Sequence, residues 1–483
     1  MDDLARLALD AATDAGAAYA DVRAVAEETE EITVSDQRVE GVARQTTRGV
    51  GVRVLVDGAW GFAATARLER EQVLAAARQA VEVARASATA QGEPVRLAPL
   101  AAEQGTWRTP LGRDPMDVAL EEKLQLLLAT TAAAHEVAGL AMAKATTDTW
   151  RTTKWFVSSE GAALHQVLHH VAAGAECTAI GDGEVQTRSF PNSFRGHCAS
   201  GGWEDVLAMD LAGLAPRHAE EAVALLTAPN LPSDITTVVL DGNQLALQVH
   251  ESVGHPLELD RILGWEAAYA GTSFVGAGDV RGLRYGSDRV NLVLDTTTPG
   301  ALGTYGWDDE GVPAMRAPLV TGGILHGLLT SRETAGALGP HAISNGTMRA
   351  DSWAAIPLIR MTNIHLEPDP DGPTLEELLS DTGEGVFLTT NSSWSIDDKR
   401  VNFQFGCEVA YEIKDGRLGR RFRNPTYAGR TTDFWGSCDA ICGPAAWQVY
   451  GTPNCGKGQP AQVARVAHGT APARFRDVQV GVR

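Results

Sequence analysis

Apolar positions along the first ninety residues change period twice. Leu4, Leu7, Ala8 and Ala11 fall on one side of a helix and predict an Ala-rich helix over 3–17. From Tyr19 the spacing drops to two, so 20–25, 31–34 and 39–44 read as strands. Gly49 to Val56 runs into Asp57-Gly58, a pair suited to a type I′ turn, and 59–64 returns as the second arm of a hairpin. Strong helix formers then fill 68–86. A helix–strands–helix opening of this kind makes an α+β domain. Gln91 to Pro115 holds Pro94, Pro99, Pro110 and Pro115 and predicts a connecting loop. Residues 116–137 are helical, and 141–146, 150–158, 163–180 and 184–190 are strands. The segment 203–226 reads as mostly helical, interrupted at Pro216, with Glu220 and Glu221 solvated.

Ala228-Pro229-Asn230-Leu231-Pro232-Ser233-Asp234 contains two prolines, which preclude both helix and central strand. The domain boundary is placed there, giving an N-terminal α+β domain over 1–229 and a C-terminal domain over 230–483. The second opens with a strand at 236–240, and Asp241 caps a helix that begins near Asn243 and carries His250 and Glu251. Short β-like runs follow at 290–295, at 317–329 around Gly322-Gly323, and at 356–366. One helix at 374–379 precedes strands at 385–390 and 401–413, the latter closing at Asp415-Gly416, and a last stretch ends at Val480. This half is β-rich.

A chain of 483 residues exceeds one ordinary core, which agrees with two domains. With 44% hydrophobic and 21% charged residues, it has the composition of a soluble globular protein. No window approaches the roughly 18 uninterrupted apolar residues of a membrane span. Met1-Asp2-Asp3-Leu4 opens with acid and lacks a basic n-region, so a cytoplasmic location is expected. A net charge of -20 argues against a nucleic-acid partner, and the cluster Arg417 to Arg423 reads as a solvated strand edge. Six cysteines in so long a chain make no disulfide framework. Cys177, Cys198 and Cys407 are expected to be buried thiols. Cys438 and Cys442 have the spacing of half a zinc site, but no second pair completes it, so no structural zinc is expected there.

Candidate chemistry concentrates in Gln248-Val249-His250-Glu251-Ser252-Val253-Gly254-His255. Two imidazoles with a carboxylate beside the first are the parts of a zinc hydrolase: neutral nitrogens bind the metal, and the carboxylate takes a proton from water. The common helical form, H-E-x-x-H, puts both histidines on one face. Here the spacing is one residue longer, and on an ideal helix such residues point about 140° apart. Metal binding therefore requires a π-bulge, or a helix that ends before His255, and Gly254 and Pro256 favour an ending. Without a metal these are two unrelated histidines on an amphipathic helix. For a third ligand, Glu258 and Asp260 lie close by, while Cys455 lies far downstream among Pro453, Asn454, Gly456 and Gly458, which suit a thiol presented on a turn.

The run His250 to Arg261, H-E-S-V-G-H-P-L-E-L-D-R, followed by Gly271-Thr272-Ser273-Phe274, resembles the TldD/PmbA family of metallopeptidases. The resemblance continues through Asp308-Asp309-Glu310-Gly311, Arg360-Met361-Thr362-Asn363 and Asn454-Cys455-Gly456-Lys457, in the family's order. It covers most of the C-terminal half, and the hairpin at 49–64 also looks like the family's N-terminal half. It implies an antiparallel N-terminal sheet packed with long helices, and a β-rich C-terminal domain carrying the metal-binding helix. It also implies Zn2+ held by His250, His255 and Cys455, with Glu251 as general base. The implied substrate is a peptide or unfolded protein segment drawn into an internal chamber. The implied assembly is a dimer, with a motif-lacking relative or with itself, in which this chain is the catalytic subunit. Two other readings compete: a non-catalytic peptide-binding subunit, and an amidohydrolase acting on non-peptide substrates.

Two other motifs are set aside. On a strand, His165 and His169 share a face but stand roughly 13 Å apart, too far for one ion. Gly451-Thr452-Pro453-Asn454-Cys455-Gly456-Lys457-Gly458 nearly spells a P-loop, yet ends without a hydroxyl and meets Pro460 where a helix should open.

Overall fold

A computed structural model describes residues 1–90, 92–181, 183–193, 196–458 and 461–482, so Pro460 lies outside the described residues. The chain starts with α1 (Asp2–Asp14), β1 (Tyr19–Ser35), β2 (Arg38–Val56), β3 (Ala59–Thr65) and α2 (Arg70–Ala88). Asp57 and Gly58 hold φ of 50° and 79°, the left-handed pair that the β2–β3 turn requires. There follow β4 (Gln104–Arg108), α3 (Leu120–Ala134), β5 (Leu140–Ser158), β6 (Ala163–Gly181), β7 (Glu184–Phe190), β8 (His197–Ala199), α4 (Trp203–Ala208) and α5 (Leu211–Leu225). The strands form one sheet in the order β3-β2-β1-β5-β6-β4, with β7 and β8 also on β6.

The strands are longer than the local alternation suggests. β1 swallows two expected strands, and β5 runs unbroken across 147–149, because β1 and β6 both hydrogen-bond to it there. Val73, Ala76, Ala77, Ala80, Val81 and Ala84 form the buried stripe of α2, which lies over β3. Contact is close enough that a Cβ on Gly61 would stand 2.1 Å from the Ala80 carbonyl oxygen.

Three expectations need correction. The proline-rich stretch is not loop throughout, since β4 pairs parallel with β6, the one parallel pairing in this sheet among the described residues. The helical segment breaks at Asp210, whose φ is 47°, while Pro216 sits inside α5. An αL residue turns the chain out of the helical path, whereas proline removes only one donor from the ladder. Glu221 is buried, not solvated, because Arg188 Nε reaches it at 3.0 Å.

The second half comprises β9 (Asp234–Leu240), α6 (Gly242–Val249), α7 (Leu259–Ile262), β10 (Leu292–Asp295), β11 (Arg316–Thr321), β12 (Ile324–Leu325), β13 (Met348–Arg349), β14 (Leu358–Ile359) and β15 (Ile364–Leu366). It continues with α8 (Leu375–Thr382), β16 (Gly385–Ile396), β17 (Asn402–Lys414), β18 (Arg417–Arg423), β19 (Thr426–Arg430), α9 (Thr431–Gly436), β20 (Cys438–Ile441), β21 (Gln448–Lys457), β22 (Gln462–Thr470) and β23 (Ala473–Val480). This half is β-rich, as expected, and the fold is α+β. Strands β16-β9-β23-β19-β17 form a ring, closed by the β16–β17 pairing, and β18 hangs on its edge with its arginines largely exposed. Gly451 to Lys457 lies in β21, paired with β22, so the P-loop resemblance has no loop-to-helix geometry behind it.

Asp308-Asp309-Glu310 ties the two halves together. Asp308 accepts hydrogen bonds from the backbone of Glu310, Val312 and Met348. Asp309 takes Lys154 Nζ of β5 at 3.0 Å, and Glu310 takes Arg53 of β2 at 3.3 Å.

Candidate metal centre

Asp241 accepts from the Gly242 backbone and starts α6 directly off β9, inside the ring's core. One side of the helix is held by a buried polar ladder. Gln244 Nε2 donates to Tyr427 OH at 3.0 Å, Tyr427 OH donates to Gln248 Oε1 at 2.9 Å, and Trp435 Nε1 donates to Ser252 Oγ at 2.9 Å. These bonds satisfy polar groups that burial would otherwise penalise, and so fix the rotation of the helix.

The helix then widens. His250–Gly254 is a π turn, closed by the His255 N–H on the His250 carbonyl, an i to i+5 bond. Residues five apart are thereby stacked, and the one-residue-long H-E-x-x-x-H spacing brings both rings to one place. The His250 and His255 ring centroids are 5.0 Å apart and nearly perpendicular, at 88°. Of the two deformations open on spacing, the π-bulge is the one adopted. Gly254 is required for close approach: a Cβ there would stand 1.9 Å from Met361 Sδ.

Cys455, on β21, presents Sγ at 3.7 Å from His255 Nε2. One donor atom each from His250, His255 and Cys455 lies within 4.8 Å of the others. Tetrahedral zinc, with bonds of about 2.0 Å to nitrogen and 2.3 Å to sulfur, separates such donors by about 3.5 Å. The donor chemistry fits that ion, and the Cys455–His255 separation of 3.7 Å is close to that spacing. Burial pushes the pKa of both histidines down, keeping the rings neutral and able to ligate. Burial alone would raise the Cys455 thiol, but the Arg360 guanidinium and His255 more than offset it, and the net shift is downward.

The surrounding groups fix which nitrogen is free. His468 Nδ1 is 3.0 Å from the Ile364 carbonyl, so that nitrogen carries the proton and His468 Nε2 is an acceptor. It lies 2.8 Å from His250 Nδ1, which must then donate, leaving His250 Nε2 bare. His255 Nδ1 likewise donates to Glu258 at 3.1 Å. Lys457 Nζ holds Asp260 at 2.8 Å and Glu258 at 3.3 Å. Glu258 and Asp260 are therefore engaged with His255 and Lys457 and lie outside the three-donor cluster. Arg360 donates to the carbonyls of Cys455 and Gln462, clamping the β21–β22 hairpin beside the histidines.

Glu251 is buried, and Arg400 Nη1 reaches its Oε2 at 2.5 Å. Arg400 has φ of 64°, an uncommon conformation for a side-chain-bearing residue and one that often marks working sites. His250, Glu251, His255, Arg400 and Cys455 all line one cavity of about 260 Å³. Sequence reasoning missed His468 and Arg400: each is a lone residue with no diagnostic spacing, and only the fold brings them to the site. The other candidates stay apart. His169 Nε2 pairs with Asp114 at 3.0 Å, His165 stacks on Trp155, and both lie in β6. Burial raises the Cys438 and Cys442 thiols to about 12 and about 11.

The chain is similar to known metallopeptidases. Residues 233–481 match the model of the PmbA/TldA metallopeptidase C-terminal domain, and residues 20–84 match its domain 1. A metalloprotease of a Synechocystis strain is 30% identical over 473 residues, covering 96% of this chain and 94% of that one. A metalloprotease of Methanocaldococcus jannaschii is 28% identical, covering 88% and 89%. TldE of Thermococcus kodakarensis shares the fold over the full length of both chains, with a TM-score of 0.75 at 16% identity. A candidate modulator of DNA gyrase from Thermotoga maritima does so with a TM-score of 0.78, over 99% of each chain. On the match to its C-terminal half and the full-length relatives together, the chain belongs to the PmbA/TldD family of metallopeptidases.

Proposed function

We propose that the protein is a zinc-dependent peptidase that hydrolyses peptide bonds of extended or unfolded peptides, with His250, His255 and Cys455 as ligands and Glu251 as general base. The observation that carries this reading is the Cys455 Sγ to His255 Nε2 separation of 3.7 Å, across a buried set of neutral and thiol donors with a carboxylate next door. When bound, zinc acts as a Lewis acid and lowers the pKa of a water toward about 7. Glu251 accepts the proton of the attacking water as its oxygen bonds to the scissile carbonyl carbon. It then passes that proton to the amide nitrogen as the C–N bond breaks. Arg400 fixes one oxygen of Glu251 and leaves the other for this transfer. Extended chains suit a β-rich surround, because pairing with a strand edge grips any sequence through its backbone.

Two further elements belong to the proposal. The domain division falls at 229/230, and the working unit is a dimer, with a motif-lacking relative or a second copy. No helix among the described residues is long and apolar enough to cross a membrane. The test is metal content together with cleavage of a mixed peptide library, with and without chelator. Zinc near one per chain and chelator-sensitive cleavage are expected, and cleavage that survives metal removal overturns the reading.

A further inference from the structure

Beyond the metal cavity lies a second, larger one of about 430 Å³, and Asn454 lines both. Asn454 precedes Cys455 on β21, so the β21–β22 hairpin is the partition between the two spaces. Trp150, Tyr305 and Trp307 supply apolar wall.

The charges lining it are almost all spoken for. Glu27 takes Arg465 at 3.2 Å and Thr152 at 2.7 Å, and Arg465 also covers the Trp150 ring at 4.7 Å. Asp309 holds Lys154, and the oxygens of Asp308 are taken by backbone N–H groups. Asp351 is exposed at the rim, where it accepts from the Val463 backbone. Arg349 is the exception. It donates one bond to the Arg465 carbonyl at 2.7 Å and lies 5.8 Å from the Tyr305 ring, but makes no ion pair among the described residues. His170, 2% exposed, lines the same wall. The Leu302 backbone is near enough to influence its ring, yet among the described residues neither ring nitrogen forms a hydrogen bond of good geometry.

Among the described residues, a guanidinium with no ion pair and a buried imidazole with no hydrogen bond of good geometry, facing one aromatic-walled space, together describe a missing anion. We propose that this cavity is a substrate subsite that takes a carboxylate, with Arg349 as its ion-pair partner and His170 as a hydrogen-bonding neighbour. The proposal rests on the peptidase reading, since the hairpin that separates this subsite from the metal cavity bears Cys455. A peptide offers a carboxylate from two sources, its C-terminus or an Asp or Glu side chain, and both suit the planar fork of arginine.

The test uses full-length Glu251→Gln protein and three versions of one fluorescent octapeptide. One has a free C-terminus and neutral side chains, one is amidated, and one is amidated with a single Glu. A carboxylate-bearing version is expected to bind roughly tenfold to a hundredfold more tightly than the neutral amide. Whichever version does so names the source. That advantage is expected to vanish in the Glu251→Gln/Arg349→Gln double variant while the neutral peptide binds as before. Equal affinity of all three peptides overturns the subsite, and so does an advantage that persists without Arg349. The three-peptide comparison on Glu251→Gln alone decides the matter if the double variant does not fold. Peptide binding without carboxylate preference sinks only this proposal. No binding of any peptide, together with no turnover by the zinc-loaded wild type, sinks the peptidase reading and this one with it.

Discussion

His468 Nε2 lies 2.8 Å from His250 Nδ1, and this contact sets the tautomer that leaves the other His250 nitrogen bare. His468 thus supports a proposed ligand without being one. Such supporting partners typically contribute about 10–100-fold to metal affinity. His468→Ala is expected to weaken zinc binding by that order in a competition titration with a chromogenic chelator, with far-UV circular dichroism unchanged. Unaltered affinity would mean that His250 is oriented by its packing alone.

Glu251→Gln keeps the hydrogen-bonding shape of the side chain and removes its basicity. Zinc content should be retained while kcat falls by roughly 10²–10⁴-fold. A variant with half the wild-type rate would send the search for the base elsewhere in the cavity.

Cys455→Ala should lose most of its zinc, measured by plasma emission after gel filtration. Cys438→Ala and Cys442→Ala should keep theirs, because those buried thiols stay protonated near neutral pH. Zinc retained in Cys455→Ala but lost in Glu258→Ala or Asp260→Ala would move the third ligand to a carboxylate.

The π turn has its own test in Gly254→Ala. The new methyl collides with the buried Met361 side chain, and overpacking of this kind costs about 1–3 kcal/mol. A lowered Tm is expected, with part of the loss recovered in Gly254→Ala/Met361→Ala. A fully stable single variant would show that the turn has slack.

Acid stability should depend on Asp309. Burial would raise its carboxyl, but Lys154, Arg23 and the Ala350 N–H outweigh burial and hold it below the ordinary range near 3.8. A depressed carboxylate stabilises the fold above its unfolded pKa, and that contribution drains away as pH falls through the folded value. The stability difference between wild type and Lys154→Met, from urea midpoints, should therefore be largest at pH 5–7 and shrink below about pH 4. A difference independent of pH would assign Lys154 a packing role only.

What the sequence made legible follows what is local. The extra residue in H-E-x-x-x-H demands a deformed helix, because residues five apart on an α-helix face different ways, and the π turn at His250 is that deformation. Asp57-Gly58 is a turn for reasons contained in two residues. By contrast, β4 hides among prolines, because its strand pairing among the described residues is parallel to β6, some sixty residues on. Glu221 reads as solvent-facing until Arg188, a strand away, is brought beside it. His468 and Arg400 carry no spacing signal at all. Cys455 was reachable only through resemblance, since nothing local separates it from Glu258 or Asp260.

The 200 residues between His255 and Cys455 also have a temporal meaning. A ribosome adding about 5–20 residues per second needs roughly 10–40 s to make that stretch. Through that interval the nascent chain carries both histidines and Glu251 but neither the thiolate nor His468. The donor set closes only when the β21–β22 hairpin emerges. On the proposed peptidase reading, a chain that cuts extended peptides thus lacks its donor set while it is itself extended, and products truncated before Cys455 lack it as well.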